Sequence, residues 1–148
     1  MTPASLTPTR PGLPLLHHLD TWSARLAAPL GRLLLGGMFF QAGLAKIGAY
    51  AGTRAFMESV GLPGELLPLV IAFEILAGLA VILGWNTRPA ALALAGFTAV
   101  TALTFHANLA DQMQFLLFSK NVAISGGLLV LAAQGAGVFS LDQRGAKR

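Results

Sequence analysis

Arg32, Lys46, Glu74, His106 and Lys120 all fall within long apolar stretches of the chain, and Gln41, Thr101, Thr104, Asn121 and Ser125 lie near them. A charged side chain at the centre of a bilayer costs about 2.5–3.5 kcal/mol on insertion scales, so each should have a partner or a task. Glu74 and His106 are the candidate catalytic groups, because a carboxylate and an imidazole can accept or relay a proton. Lys46, His106, Lys120, Asn121 and Gln41 are the candidate ligand-binding groups. They supply many donors against one carboxylate, and that excess suits an oxygen-rich or anionic ligand, such as a quinone carbonyl or a small oxyanion.

Small residues accompany each of these groups at helical spacing. Gln41 lies between Gly37 and Ala45, Glu74 stands one turn before Gly78, and His106 shares a stripe with Ala102, Ala99 and Ala95. Asn121 stands one turn before Ser125, and Lys120 seven residues before Gly127. Such stripes let helices approach closely in lipid, so the polar groups are predicted to point between helices. Plainer roles stand beside these. Arg32 and Lys46 could snorkel to the headgroups, Glu74 and Lys120 could form a structural pair, and His106 could be an interfacial histidine. Asn121 could be interhelical hydrogen-bond glue.

The elements that must position these groups are four apolar runs, each long enough to cross about 30 Å of hydrocarbon. They run from about Pro29 to Ile47, from Leu66 to Gly84, from Pro89 to Ala107 and from Phe115 to Val138. Of the 148 residues 55% are hydrophobic and only 11% charged. That charge supply is far below the quarter or so typical of a soluble domain, which makes a bilayer the expected solvent. Short links between the runs predict an all-α fold, an integral membrane antiparallel four-helix bundle. Arg10, Arg25, Arg32, Arg88, Arg144, Lys147 and Arg148 would gather on one side. The positive-inside rule then predicts both termini in the cytoplasm, the N-in/C-in arrangement. His106, Lys120 and Lys46 would lie in the outer half, with Glu74 and Gln41 deeper.

Residues 1–21 read as an irregular tail. Leu15, Leu19, Trp22 and Leu26 suggest either a short interfacial helix or the first turns of the first span. Residues 22–142 form the membrane domain and 143–148 a basic tail. Several chemistries are excluded on residue supply. The chain has no cysteine, so disulfides and thiolate metal sites are out. A single intramembrane histidine cannot make a bis-histidine haem, and the adjacent His17 and His18 make a poor metal pair. No Gly-rich phosphate loop or basic-aromatic cluster is present, so neither a nucleotide cofactor nor a nucleic-acid partner is expected.

Three segments, "GRLLLGGMFFQAGLAKI", "GLPGELLPLVIAFEILAGLAVILGWNTRPAA" and "FSKNVAISGGLLVLAAQGAGVFSLD", give the chain a resemblance to the DoxX family of small bacterial four-helix membrane proteins. The resemblance covers roughly Leu30 to Asp142. It implies recurrent polar positions at Arg32, Lys46, Glu74, Arg88, His106, Lys120, Asn121 and Asp142, with Arg32, Arg88 and Asp142 taken as structural or anchoring groups. One branch of the family is the membrane subunit of a thiosulfate:quinone oxidoreductase; short loops here leave no room for an added periplasmic domain. The resemblance implies the inner membrane of a bacterial cell. It also implies a redox-system subunit handling a quinone or small oxyanion, alongside a second oxidoreductase subunit or as a homo-oligomer. A non-catalytic scaffold and a small transporter using Glu74 and His106 are the competing readings.

Overall fold

The computed structural model describes residues 14–145, with side chains from Arg25 onward. The tail before Pro14, the terminal Lys147 and Arg148, and the side chains of Leu15, His17, His18, Leu19 and Trp22 lie outside the described residues. Within them every element is helical: α1 (Pro14–Gly48), α2 (Tyr50–Ser59), a 3-10 turn (Gly64–Leu66), α3 (Leu67–Leu83), α4 (Thr87–Phe105), α5 (Gln112–Gln134) and α6 (Leu141–Gly145). The four apolar runs of the sequence appear as α1, α3, α4 and α5. Pro29, expected near the start of the first run, instead lies inside α1.

The stretch read as a plain link between the first two runs contains α2. This helix turns away from α1 by 99° at a break beside Ala49. Three segments (the 3-10 turn with α3, α4, and α5) are long and apolar enough to cross a membrane; counting the bent α1–α2 pair as one span makes four. The positions around these helices carry many exposed leucines, among them Leu34, Leu69, Leu76 and Leu103. Lipid is the natural cover for such a surface.

α1 packs mainly on α3, and α4 on α5, while α3–α4 and α1–α5 contacts join the two pairs. The α1–α3 approach is set by Gly36 and Gly78. A Cβ added at Gly36 would lie 2.6 Å from the Gly78 carbonyl oxygen, and one at Gly78 would lie 2.8 Å from that of Gly36. Backbones this close leave no room for any side chain. The small-residue stripe on α1 is therefore one position from the one expected: Gly36 is buried in the contact, whereas Gly37 faces open space. On α4, Ala91, Ala95 and Ala102 are buried and Ala99 is exposed. Ser125 Oγ of α5 donates to the Ala95 carbonyl at 3.2 Å, tying the second pair. Gly126, expected to admit a neighbouring helix, has nothing near it, and Gly127 meets only the Leu35 side chain.

One end of the molecule is laced together by the segment after α5. Gly84 closes α3 in the left-handed region, at φ 67°, with Trp85 N–H donating to Ala80 O and Gly84 N–H to Val81 O. These paired bonds satisfy the carbonyls a helix end leaves over. Glycine is required here twice, since a Cβ would also collide with the Arg32 guanidinium. α4 then begins without a side-chain cap of its own. Asp142 supplies one: Oδ1 accepts from Asn86 N–H at 2.7 Å, and Oδ2 accepts from Thr87 N–H at 3.0 Å and Thr87 Oγ1 at 2.8 Å. Asp142 N–H in turn donates to Gly84 O.

Arg32 does not snorkel outward. It is 2% exposed, and its Nη2 donates to Phe139 O at 2.9 Å, beneath the same segment. Arg88 is exposed and passes over Gly135, where an added Cβ would lie 3.2 Å from Nε.

Burial opposes the charge on Asp142. The Thr87 N–H and hydroxyl, the Asn86 N–H and the nearby Arg32 guanidinium outweigh it, holding this carboxyl below the usual carboxylate range. A depressed pKa means stability that is present above the unfolded value, near 3.8, and lost as pH falls through the lower folded value. Asp142→Ala should cost about 1–2 kcal/mol at neutral pH, the usual range for a lost helix cap. In detergent unfolding, the gap between wild type and variant should narrow as pH drops below about 4; a gap independent of pH would contradict the capping role.

Candidate functional site

The end of the molecule away from this lacing holds a cavity of about 430 Å³. Lys46 reaches it from the last turn of α1, Glu74 from the middle of α3, His106 from the end of α4, and Lys120 and Asn121 from α5. Its walls are otherwise mostly apolar, with the hydroxyl residue Thr101 among them. α2 covers one side. Met57 is buried against Leu67 and Ile71, and Phe56 stacks on Phe105 with ring centres 5.2 Å apart. On its exposed side Arg54 pairs with Glu58 within α2 at 2.9 Å and with Glu65, just before α3, at 3.0 Å.

The carboxylate finds its partner on α1. Lys46 Nζ lies 2.9 Å from Glu74 Oε1, which accepts its hydrogen bond, and 2.8 Å from Oε2. The partner is thus Lys46, and not Lys120 as in the structural pair considered from the sequence. The cause is the glycine contact one turn away. Gly43 sits against Ile71 and Ile75, where an added Cβ would lie 3.3 Å from Glu74 Cβ. α1 and α3 are therefore close enough for a lysine stem to bridge them. The Glu74 side chain is 5% exposed and that of Lys46 28%.

With that pair closed, the cavity keeps one cation that has no acidic partner among the described residues, Lys120. Lys120 and Asn121 both line the cavity, and Ser125, one turn after Asn121, makes the interhelical bond. Gln41 is exposed and is not among the residues that line the cavity. Arg32, Arg88 and Asp142 lie at the other end. Among the described residues no three His, Asp or Glu side chains gather as metal ligands.

Gln114 does not line the cavity but holds the His106 ring, a contact that sequence reasoning missed. Its Oε1 lies 2.8 Å from His106 Nδ1, and with that ring N–H donating, Nε2 remains the acceptor nitrogen. Gln114 was read as part of the loop between the last two runs. The signal for its placement was the spacing Asp111-x-x-Gln114, a helix-start pattern. Asp111 caps α5, its Oδ1 accepting from Gln114 N–H at 2.9 Å.

A sequence-family model, DoxX, matches residues 27–107, more than half of the chain. The chain belongs to the DoxX family. It is 48% identical to the inner membrane protein YqjF of Escherichia coli K12 over 114 residues, 77% of this chain and 88% of that protein. It is 33% identical to the inner membrane protein YphA of the same organism over 137 residues, covering 87% and 98%. A third relative, named "Putative oxidoreductase CatD", from Bacillus subtilis 168, is 32% identical over 110 residues, covering 70% and 82%. No solved structure matches the chain. This DoxX-family chain is thus a membrane protein.

Proposed function

We propose that this DoxX protein spans the bilayer four times with both termini cytoplasmic, and that its cavity handles a quinone or a small oxyanion as the membrane part of a redox system. The observation that carries the reading is that His106 and Lys120, the latter without an acidic partner among the described residues, line one largely apolar cavity. A volume near 430 Å³ lies within the usual range of small-molecule pockets, roughly 300–1,000 Å³. An apolar wall suits a ring, and the ammonium and imidazole suit its oxygens. Reduction of a quinone also takes up protons, and Glu74 and His106 are the wall groups able to carry them. The oxidoreductase wording in the name of the Bacillus relative points the same way. The Lys46–Glu74 pair alone would equally serve a scaffold that docks a second oxidoreductase subunit, or a homo-oligomer.

Two experiments test this reading. Solvent extraction of the purified, detergent-solubilised chain should release quinone in near-stoichiometric amount. Absence of any quinone, together with no binding of added quinone or thiosulfate, would leave the scaffold reading. For topology, a cysteine placed at position 88 of this cysteine-free chain should react with an impermeant maleimide only in inside-out vesicles. Labelling from the outer face of intact spheroplasts would reverse the orientation.

A further inference from the structure

A second depression, of about 360 Å³, lies at the laced end, far from the cavity above. Arg25 of α1 bounds it on one side, and Phe139, Ser140, Gln143 and Arg144 on the other. Two guanidinium groups from opposite parts of the chain thus converge on one space. The ion pairs among the described residues are Lys46–Glu74, Arg54–Glu58 and Arg54–Glu65, so neither arginine has a carboxylate there. The acid closest to Arg144 in sequence, Asp142, is spent on the N-terminus of α4. Behind the same wall stands Arg32, bonded to Phe139 O, with Nε and Nη1 unpartnered. Ser140 Oγ is already engaged with Gly137 O and Gln143 N–H. The available donors are therefore the two guanidinium forks and the Gln143 amide.

We propose that Arg25 and Arg144 bind a phosphate group in this depression, carried by the headgroup of an anionic phospholipid. Planar guanidinium groups match a phosphate bidentately. The chemistry beside them fits a lipid: Phe139 is 74% exposed at the rim, and Trp85, 58% exposed, stands at the same end. Exposed aromatic residues beside arginines are the usual companions of headgroups at a membrane interface. The site is independent of the quinone reading and stands if that reading fails.

Native mass spectrometry of the full chain, in mixed micelles of equal phosphatidylglycerol and phosphatidylcholine, provides the test. The wild type should retain phosphatidylglycerol about tenfold over phosphatidylcholine, equivalent to roughly 1.4 kcal/mol. R25Q/R144Q should bring the ratio near unity. R88Q removes an arginine from the same end but outside the depression, and should leave the preference intact. If the double variant does not fold, R144Q alone should lower the preference several-fold. Inorganic phosphate serves as the second probe. Phosphate binding that needs Arg25 and Arg144, without lipid preference, would overturn the lipid as its source. A lipid ratio unchanged in R25Q/R144Q, or lowered equally by R88Q, overturns the site itself.

Discussion

Lys46→Met is expected to destabilise the protein by roughly 3–5 kcal/mol, the usual cost of leaving a buried charge without its partner. The carboxylate left behind is Glu74, whose side chain is 5% exposed. Glu74→Gln should cost clearly less. It leaves Lys46, 28% exposed at the end of α1, free to extend its ammonium toward the headgroups. The double variant Lys46→Met/Glu74→Gln should recover much of the loss, because neither charge is then stranded. Thermal unfolding of the three variants in one detergent checks the order. Equal losses for the two single changes would show that the pair is not buried as described.

Lys120→Met should have the opposite profile, leaving stability nearly unchanged and removing ligand binding. No hydrogen bond or ion pair of Lys120 within the described residues is lost, and methionine keeps the length and apolar bulk of its stem. Losing a hydrogen bond to a charged group costs about 1.5–3 kcal/mol, so affinity for quinone or thiosulfate should fall by roughly tenfold to more than a hundredfold. Titration of each ligand into wild type and variant measures this. Binding that survives Lys120→Met unchanged removes the residue from the site and returns it to the headgroups.

The helices were legible in the sequence because hydrophobic run length reports directly on what can cross hydrocarbon. α2 was not. Ten residues carrying Arg54 and Glu58 lack the apolar length of a span, and two glycines, Gly48 and Gly52, suggest a link. Position along the apolar runs grouped Lys46, Glu74, His106 and Lys120, and all four line one cavity. Lateral pairing was not legible. Glu74 was matched with Lys120 because both were ionisable, whereas the partner is chosen by which helices touch, and Gly36 and Gly78 decide that. A single residue turns a helical side chain by about 100°, so taking Gly37 for the packing position also put Gln41 on the wrong face. Arg32 shows the same gap at the other end. Its position near a helix start reads as an anchor, and only the fold of the segment from Gly135 to Ser140 over it makes it an interior residue.

The cap on α4 has a consequence in time. Asp142 follows Asn86 by 56 residues, so the ribosome has built α4, the next turn and all of α5 before the cap exists. At about 5–20 residues per second that interval is roughly 3–11 s. Throughout it the first N–H groups of a membrane helix must rely on water or on the insertion machinery. The membrane helices are therefore fastened late, and a nascent chain halted between α5 and Asp142 would carry α1 to α5 yet lack the clasp that holds the basic end shut.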